Sequence, residues 1–446
     1  MAKYISNELI AEMLCLLPVK SLLRFESVSK SWYSLIHDPL FIKSHLRVST
    51  KTKSNSVLVG HANYSDLCLA WPRLPHDFVK VDLPPLRKDS YAWKYNLIKV
   101  RGSDNGLICL TLLDRYLILS NMATKDYHIT SIPSLPVYKS NRKKSLFFYG
   151  FGFDSLNDDY KVVIFVRCKY RDDVYAETRI YSLRHNAWSK SKRTEVNQRK
   201  LFPLICSFDS SLDAPNGVVA SSALHWLAGS YPHNNTLSSS FILAFDLASE
   251  QFREMQLPDH VREQEEIQIR AKRERFIEFT RVVVLGGYLC VSSRDCFENP
   301  FFDIWLLKDY KIHDSWTKFC RVMLHDKTVS SLIPVLAYNR NNLMLLEIYR
   351  SFHCHNIQKR RLNYLPNFYP GLYTTVICLG TLVSISAYRA LWKKGNRARR
   401  RKRSRESRDD INVQSQFDAR EQAEVNEALM YFFIFQKKFN WIQSKG

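Results

Sequence analysis

The sequence predicts an α+β protein in which a small helical module, residues 1–48, precedes a large and mainly antiparallel β domain, residues 55–388. Apolar residues in the first 46 positions recur at helical spacing. Beyond residue 55, short β-branched and aromatic runs alternate with turn-forming residues. Aromatic residues make up 13% of the chain, which suits a β-rich body. A basic segment of residues 389–446 follows the β domain and is expected to be partly disordered.

The first predicted helix carries one apolar stripe, formed by Leu9, Ile10, Met13, Leu14, Leu16 and Leu17. Ser6 or Asn7 can cap this helix, because a short polar side chain accepts a hydrogen bond from the unpaired N–H groups of the first turn. Pro18 ends the helix, since its ring removes a backbone donor and clashes with the preceding turn.

Three further short helices are predicted before residue 49. Their apolar faces consist of Leu22, Leu23 and Phe25 in the second, Trp32, Leu35 and Ile36 in the third, and Phe41, Ile42 and Leu46 in the fourth. Asp38 and Pro39 have the order of an N-cap followed by proline at the first helical position, so they predict where the fourth helix begins.

Three short motifs in this module occur in a specific order. Leu-Pro-Val-Lys-Ser-Leu occupies residues 17–22, Ser-Lys-Ser-Trp residues 29–32, and Asp-Pro-Leu-Phe residues 38–41. Together they resemble the F-box, the helical module that attaches a substrate receptor to a cullin-type ubiquitin ligase. This resemblance implies binding to a Skp-type adaptor, with candidate residues Leu9, Leu17, Pro18, Val19, Leu22, Leu23 and Trp32. F-boxes usually open with Leu-Pro, whereas residues 5–6 are Ile-Ser here.

The β domain shows weak internal repetition. Turn-like pairs recur at Asn105-Gly106, Asn216-Gly217, Gly286-Gly287 and Asn341-Asn342. Trp188, Phe252 and Trp316 follow one another at intervals of 64 residues. Units of this size predict repeated antiparallel sheets, as in a propeller. Residues 262–279 are dense in charge and predict either a helical insertion or a long loop.

A second resemblance covers roughly residues 100–320. Its motifs are Gly-Phe-Gly-Phe-Asp-Ser at 150–155, Asn-Asp-Asp-Tyr-Lys-Val-Val at 157–163 and Leu-His-Trp-Leu at 224–227. Two further segments follow: Phe-Asp-Leu at 245–247 with Glu250, Phe252, Leu257 and Pro258, and Ile-Trp at 304–305 through Lys308 and Tyr310 to Ser-Trp-Thr-Lys at 315–318. In this order they resemble the plant F-box-associated domain, a class that includes S-locus F-box and F-box/kelch-like receptors. The glycines at 150 and 152 predict a bulge or close backbone approach, and the aspartates at 154, 158 and 159 predict turn hydrogen bonds.

No enzymatic motif stands out. Gly150-x-Gly152 lacks the third glycine and the helix of a dinucleotide site. His353 and His355 share one face of a predicted strand, but no second ligand pair has metal-binding spacing, so neither a metal nor a cofactor is expected. The ten cysteines contain no Cys-x-x-Cys pair, and Cys290 and Cys296 are expected to be buried thiols. These features favour reduced thiols and a location in the nucleus, the cytoplasm or both.

Residues 371–388 form an uncharged stretch of 18 residues. This length is at the short limit for a membrane span, and the basic residues that follow suit a cytosolic flank. The stretch is also rich in β-branched residues, and residues 381–386 resemble the closing strand of the F-box-associated domain. Both interpretations stay open at the level of sequence.

The formal net charge is +22, and residues 393–408 hold ten Lys or Arg against one Glu. A nuclear-import signal is a candidate here, formed by Lys393, Lys394, Arg399, Arg400, Arg401, Lys402 and Arg403. The alternative is a solvated, disordered tail. Nucleic-acid binding is disfavoured because no aromatic residues are interleaved for stacking. Residues 416–439 can form an amphipathic helix.

The function that these features favour is substrate recognition in a Skp–cullin–F-box ubiquitin ligase. The module would bind the Skp adaptor and, through it, the cullin, while the β domain would hold an unidentified target protein. Such a receptor is expected to be non-catalytic. A nuclear or chromatin-associated binding protein that uses the basic tail is one alternative, and an enzyme on a propeller-like scaffold is another.

Overall fold

The computed structural model describes most of residues 6–390. The residues outside this description are 1–5, 53–55, 63–65, 71–77, 81–97, 113, 134–146, 171–172, 190–191, 196–199, 204–215, 231–238, 271–279, 295–300, 313–314, 325–328, 330–331, 339–342, 349–350, 365–371, 389 and 391–446. All candidate nuclear-import residues and the predicted amphipathic helix therefore lie outside the described residues.

The N-terminal module contains the four predicted helices, α1 (Asn7–Cys15), α2 (Val19–Phe25), α3 (Lys30–Ile36) and α4 (Pro39–Thr52). Ser6 Oγ caps α1 by accepting from Leu9 N at 3.3 Å. Asp38 Oδ1 caps α4 by accepting from Leu40 N at 2.8 Å and from Phe41 N at 3.1 Å. Helix capping by these side chains was predictable, and both predictions are confirmed.

The rest of the described chain forms antiparallel sheets, which we call blades. Blade 1 combines β26 (Leu372–Leu379) with β1 (Ser56–Ala62), β2 (Asp66–Ala70) and β3 (Phe78–Lys80). Blade 2 contains β4 (Ile98–Asp104), β5 (Leu107–Leu112), β6 (Tyr116–Asn121) and β7 (Asp126–Ser131). Blade 3 contains β8 (Phe147–Asp154), β9 (Asp159–Tyr170), β10 (Asp173–Ser182), β11 (Ala187–Trp188) and β12 (Lys192–Glu195).

Blade 4 contains β13 (Lys200–Pro203), β14 (Val218–Ala220), β15 (Ala223–Ser230), β16 (Ser239–Asp246) and β17 (Gln251–Met255). The helix α5 (Asp259–Arg270) follows it, so the first part of the charged segment is helical. Blade 5 contains β18 (Arg281–Leu285), β19 (Tyr288–Arg294), β20 (Phe301–Leu307) and β21 (Trp316–Met323). Blade 6 contains β22 (Leu332–Tyr338), β23 (Leu343–Ile348), β24 (Ser351–Asn356) and β25 (Arg361–Tyr364).

The six blades form a closed ring, which makes this domain a β-propeller. Each blade contacts the next through its first strands, and β22 of blade 6 contacts β26 of blade 1. Within blade 1, β26 pairs antiparallel with β1, and Ser56 lies opposite Leu379. The last strand of the domain therefore completes the blade that the first strand begins, as the sequence-predicted antiparallel architecture requires.

The 64-residue interval of aromatic residues reflects this repeat. Trp188, Phe252 and Trp316 lie in β11, β17 and β21, which are outer strands of three successive blades. Glycines allow neighbouring blades to approach closely, because a Cβ at Gly150 would lie 2.6 Å from Leu224 Cδ1 and 2.9 Å from Trp226. The predicted close backbone approach is confirmed.

Tight turns divide two apolar runs of the sequence into separate strands. Residues 218–227 form two strands, β14 and β15, because Ser221 and Ser222 make a turn at φ values of 50° and 57°. Residues 282–292 likewise divide into β18 and β19 at Gly286-Gly287. Asn216-Gly217 is not a hairpin turn, since Gly217 N donates to Tyr149 O of blade 3 at 2.7 Å.

The predicted turn bonds of Asp154 are confirmed, and they extend into a link between blades. The Asp154 carboxylate accepts from Leu156 N and Asn157 N, each at 3.1 Å. It also pairs with Lys161 Nζ at 3.0 Å, and Lys161 pairs with Glu250 of blade 4 at 3.2 Å. The pKa of the Asp154 carboxyl is lowered by its Asn157 and Lys161 partners despite burial, so the carboxylate stays charged.

A buried histidine links blades 4 and 5. His225 Nδ1 donates to Val218 O at 3.3 Å, and Nε2 accepts from the Tyr310 hydroxyl at 2.7 Å. Burial lowers the pKa of His225 to about 4, and the nearby Arg253 guanidinium adds to this effect. The imidazole is therefore neutral in the folded protein at neutral pH, and both ring nitrogens are used.

We expect stability to fall as pH is lowered from about 6.5 towards 4. Over this window the unfolded chain binds a proton at His225 that the folded protein excludes, and the pKa difference corresponds to about 3 kcal/mol. Urea unfolding at pH 7 and pH 5 should show about 2 kcal/mol of this loss in the wild type and less of it in His225→Gln. His37→Gln, which replaces an exposed imidazole, is the control. Equal pH dependence in all three proteins would contradict the assignment.

Candidate protein-binding face and its junction with the propeller

Helix α1 has two apolar faces, where the sequence suggested one stripe. Leu14 is buried in the core of the module, and Ile10 and Leu17 pack partly against that core. Leu9, Met13 and Leu16 are 53%, 61% and 74% exposed. Their i, i+4, i+7 spacing places them on one side of the helix. We call Leu9, Met13 and Leu16 the exposed α1 face.

The candidate adaptor-binding residues occupy different environments. Leu9 and Pro18 are exposed, and Leu17, Leu23 and Trp32 are half-buried. Val19 and Leu22 are buried in the core of the module, at 2% and 0% exposure, so neither side chain is accessible to a partner.

The spacing from Leu9 could have indicated Met13 and Leu16 as surface residues, but a helix that is apolar nearly all round does not reveal which side faces solvent. Leu40, at the start of α4, is 75% exposed and was also missed. Large apolar side chains left in water on a small module indicate an interaction site.

Helix α4 holds the module together and supports it on the propeller. Phe41 is buried in the core of the module, while Ile42 and Leu46 also pack against the core between blades 2 and 3. The buried His45 donates from Nε2 to Leu17 O at 3.0 Å, which fixes the end of α1 to α4. Burial lowers the pKa of His45, so the ring is neutral in this contact.

The core of the module includes two residues of the β domain. Ala123, in the turn between β6 and β7, and Leu382, which follows β26, belong to the same buried cluster as Leu14 and Leu22. The core of the module therefore extends into the β domain at this point.

A polar contact adds to the junction. Asp158, in the turn between β8 and β9, accepts from Lys43 Nζ at 3.4 Å and from the Tyr388 hydroxyl at 3.3 Å. Burial and the Asp158 carboxylate raise the pKa of Tyr388, so its hydroxyl remains a donor. Through these two hydrogen bonds, Asp158 joins α4, blade 3 and the segment after β26.

The uncharged stretch of residues 371–388 is not a membrane helix. Residues 372–379 are the strand β26, and residues 380–388 run across the junction as a segment that we call the strap. Among the described residues, no helix has the length and apolar character that crossing a bilayer requires. Residues 381–386 are not the closing strand either, because the strand ends at Leu379 and a helical turn forms from residue 385.

Side chains of blade 2 hold the strap. Asn121 Nδ2 donates to Thr381 O at 2.9 Å and to Val383 O at 2.8 Å, which gives these buried carbonyls the partners that a strand would otherwise provide. The Asp126 carboxylate accepts from Ser386 N at 2.8 Å, Ser386 Oγ at 2.7 Å and Ser384 Oγ at 3.0 Å. The strap is thus fixed at both ends of its length.

The other residues considered for chemistry are not assembled into a site. Among the described residues, no group of three or more His, Cys, Asp or Glu side chains is arranged to hold a metal ion. His355 is buried in β24 next to Cys354, and burial lowers the pKa of its imidazole. Cys290 is a buried thiol whose pKa burial raises to about 12, whereas Cys296 lies outside the described residues.

Comparisons with known proteins agree with this arrangement. The family model of the F-box domain matches residues 5–44, and that of the F-box associated beta propeller domain matches residues 72–362. The F-box protein CPR1 of Arabidopsis thaliana is 28% identical over 352 residues, which cover 77% of this chain and 79% of that protein. An F-box/kelch-repeat protein of the same plant is 27% identical over 393 residues, which cover 84% of this chain and 94% of that protein.

A four-helix module with an exposed apolar face, joined to a propeller, defines the class of an F-box protein. The chain belongs to the family with an F-box associated beta propeller domain. Among solved structures, the Dos1 propeller is similar at a TM-score of 0.32 and 9% identity, covering 72% of this chain and 67% of that one.

Gly106 provides a test of how tightly the strap is fitted. Its φ is +83°, and a Cβ there would lie 2.2 Å from Thr381 Oγ1 and 2.8 Å from Leu379 O. Gly106→Ala should therefore combine the cost of a left-handed alanine, about 1 kcal/mol, with an overpacking cost of about 2 kcal/mol. Urea unfolding measures the sum.

Gly287→Ala is the matched control, because Gly287 has a φ of +94° and nothing within 4 Å of the added Cβ. Gly287→Ala should lose only the stability that an alanine in the left-handed region costs, about 1 kcal/mol. Equal losses of unfolding free energy in the two variants would mean that Thr381 moves away from the added methyl group at no cost in stability.

Proposed function

We propose that this protein is the substrate-recognition subunit of a Skp–cullin–F-box ubiquitin ligase. The observation that carries the proposal is the exposed α1 face on a module whose core is otherwise complete. An F-box with three large apolar side chains in water has a surface suited to burial against a Skp-type adaptor. The adaptor would in turn connect the receptor to a cullin.

The position of the module suggests where a target would bind. The module and the strap contact the turns β4–β5, β6–β7 and β8–β9, which lie at one end of blades 2 and 3. The other ends of these strands face away from the module and the strap. We infer that an unidentified target protein binds at that opposite end, so that adaptor and target do not compete for surface.

A receptor built in this way needs no reactive groups of its own. It raises the effective concentration of the target at the conjugating enzyme, and the covalent steps belong to its partners. The family membership supports a non-catalytic role for this subunit.

Truncating the exposed α1 face should weaken adaptor binding without unfolding the protein. We expect the triple variant Leu9→Ala, Met13→Ala and Leu16→Ala to lose at least tenfold in affinity, since interface energy is concentrated in a few apolar residues and tenfold is about 1.4 kcal/mol. Leu17→Ala with Pro18→Ala should act in the same direction. Titration calorimetry with a purified Skp adaptor measures the change.

Leu156→Ala is the matched control, since Leu156 is 84% exposed but lies in the β8–β9 turn of the propeller. It should bind the adaptor like the wild type. Leu22→Ala should instead reduce stability by about 2–5 kcal/mol, because it opens a cavity in the core. If the triple variant folds and still binds with wild-type affinity, the assigned face is wrong.

We also propose that the basic run directs the receptor to the nucleus. Replacing Lys393, Lys394 and residues 399–403 with neutral residues should reduce nuclear accumulation of a fluorescent fusion, because import receptors bind such runs through acidic grooves. Neutralising Lys437 and Lys438 near the end of the chain is the control. An unchanged distribution would leave the run as a charged tail without a role in import.

A further inference from the structure

The strap contributes to two hydrophobic cores at once. Leu382 is buried at 6% exposure in the core of the F-box, together with Leu14, Val19 and Phe41. Val383 and Ile385, one and three residues later, are buried in the core between blades 2 and 3. A single short segment therefore inserts side chains into both parts of the molecule.

The backbone of the strap is fixed independently of these side chains. The Asn121 amide holds two of its carbonyls, and Asn121 Oδ1 is itself oriented by accepting from Ala123 N at 3.0 Å. Thr381 Oγ1 donates to Asn105 O at 3.0 Å. Because the strap is bonded to two turns of blade 2, any rotation of the F-box must pull Leu382 out of its core or break these bonds.

Adaptor binding is assigned to the exposed α1 face, which includes no residue of the strap. Two domains joined by a short linker usually move relative to one another unless their interface is apolar and closely packed. Here only residues 53–55 separate α4 from β1, and the strap adds a second connection.

We propose that the strap, residues 380–388, is a coupling element that fixes the direction of the F-box relative to the propeller. Asn121 and Leu382 are its positioning residues. In the ligase this coupling would hold a bound target at a defined place relative to the adaptor. That consequence rests on the proposed function, whereas the coupling itself does not.

The direct test measures the distance distribution between spin labels on the F-box and the propeller of the full chain. Non-canonical residues at the exposed positions Lys30 and Lys359 carry the labels, which avoids the ten native cysteines. The wild type should give a single narrow distribution. Asn121→Ala combined with Leu382→Ala should broaden it by about twofold or more, as expected for domains free to move.

Asn186→Ala is the matched control. Asn186 also lies in a turn of a blade, at a φ of 47°, and accepts from the Tyr181 hydroxyl at 2.8 Å without touching the strap. It should lower stability but leave the distribution narrow. Ser384→Ala with Ser386→Ala removes the two hydroxyl donors to Asp126 and the bond from Ala387 N to Ser384 Oγ, while the bond from Ser386 N to Asp126 stays. It gives a milder variant if the first one unfolds. A broad wild-type distribution, or no broadening in either strap variant, would overturn the proposal.

A second readout separates positioning from folding. In a ligase reconstituted with the adaptor, cullin and conjugating enzyme, the receptor itself serves as the acceptor of ubiquitin. Mass spectrometry then identifies which of its lysines carry ubiquitin. The wild type should give few modified propeller lysines, and the strap variants should give more, at unchanged adaptor affinity. An unchanged set of lysines would argue against positioning. If the wild-type protein does not bind the adaptor, the proposed function fails, while the label distances still decide the coupling.

Discussion

Pairing of β26 with β1 is the constraint on which the arrangement of this protein depends. It closes the ring by placing Leu379, at the end of the last strand, opposite Ser56, at the start of the first. Helix α4 ends only a few residues before β1, and the strap begins directly after β26. Closure therefore delivers the F-box and the strap to the same end of blade 1, which is why residues far apart in sequence share one core.

Once the strap lies between two apolar bodies, its backbone groups have lost access to water and need partners inside the protein. A buried carbonyl without a partner costs about 1–3 kcal/mol. Blade 2 solves this with side chains: one amide, Asn121, satisfies two carbonyls, and one carboxylate, Asp126, accepts three donors. The same polar groups that remove this cost also fix the path of the strap. The hydrogen bonds that satisfy the buried carbonyls therefore also position Leu382.

Local signals in the sequence were sufficient for much of the fold. Ser6 and Asp38 cap helices where the sequence predicted caps, and the interval between Trp188, Phe252 and Trp316 reflects successive blades. These predictions depend only on near neighbours or on a regular repeat. Which side of α1 faces solvent could not be predicted in this way, because Leu9 and Leu14 have the same chemistry and only packing separates them. The strap was missed for a related reason, since its partners Asn121 and Asp126 are about 260 residues away.

The separation of exposed and buried apolar residues on α1 explains how one short helix can serve two purposes. The buried side, with Leu14, ties the helix to a core that also contains Leu22 and Phe41, so the helix cannot rotate about its axis without losing that packing. The other side, with Leu9 and Leu16, is thereby presented to solvent in one orientation. A partner that buries this face meets a surface already ordered, and little conformational entropy is lost at the moment of binding. The packing inside the module therefore also prepares its free face for a protein partner.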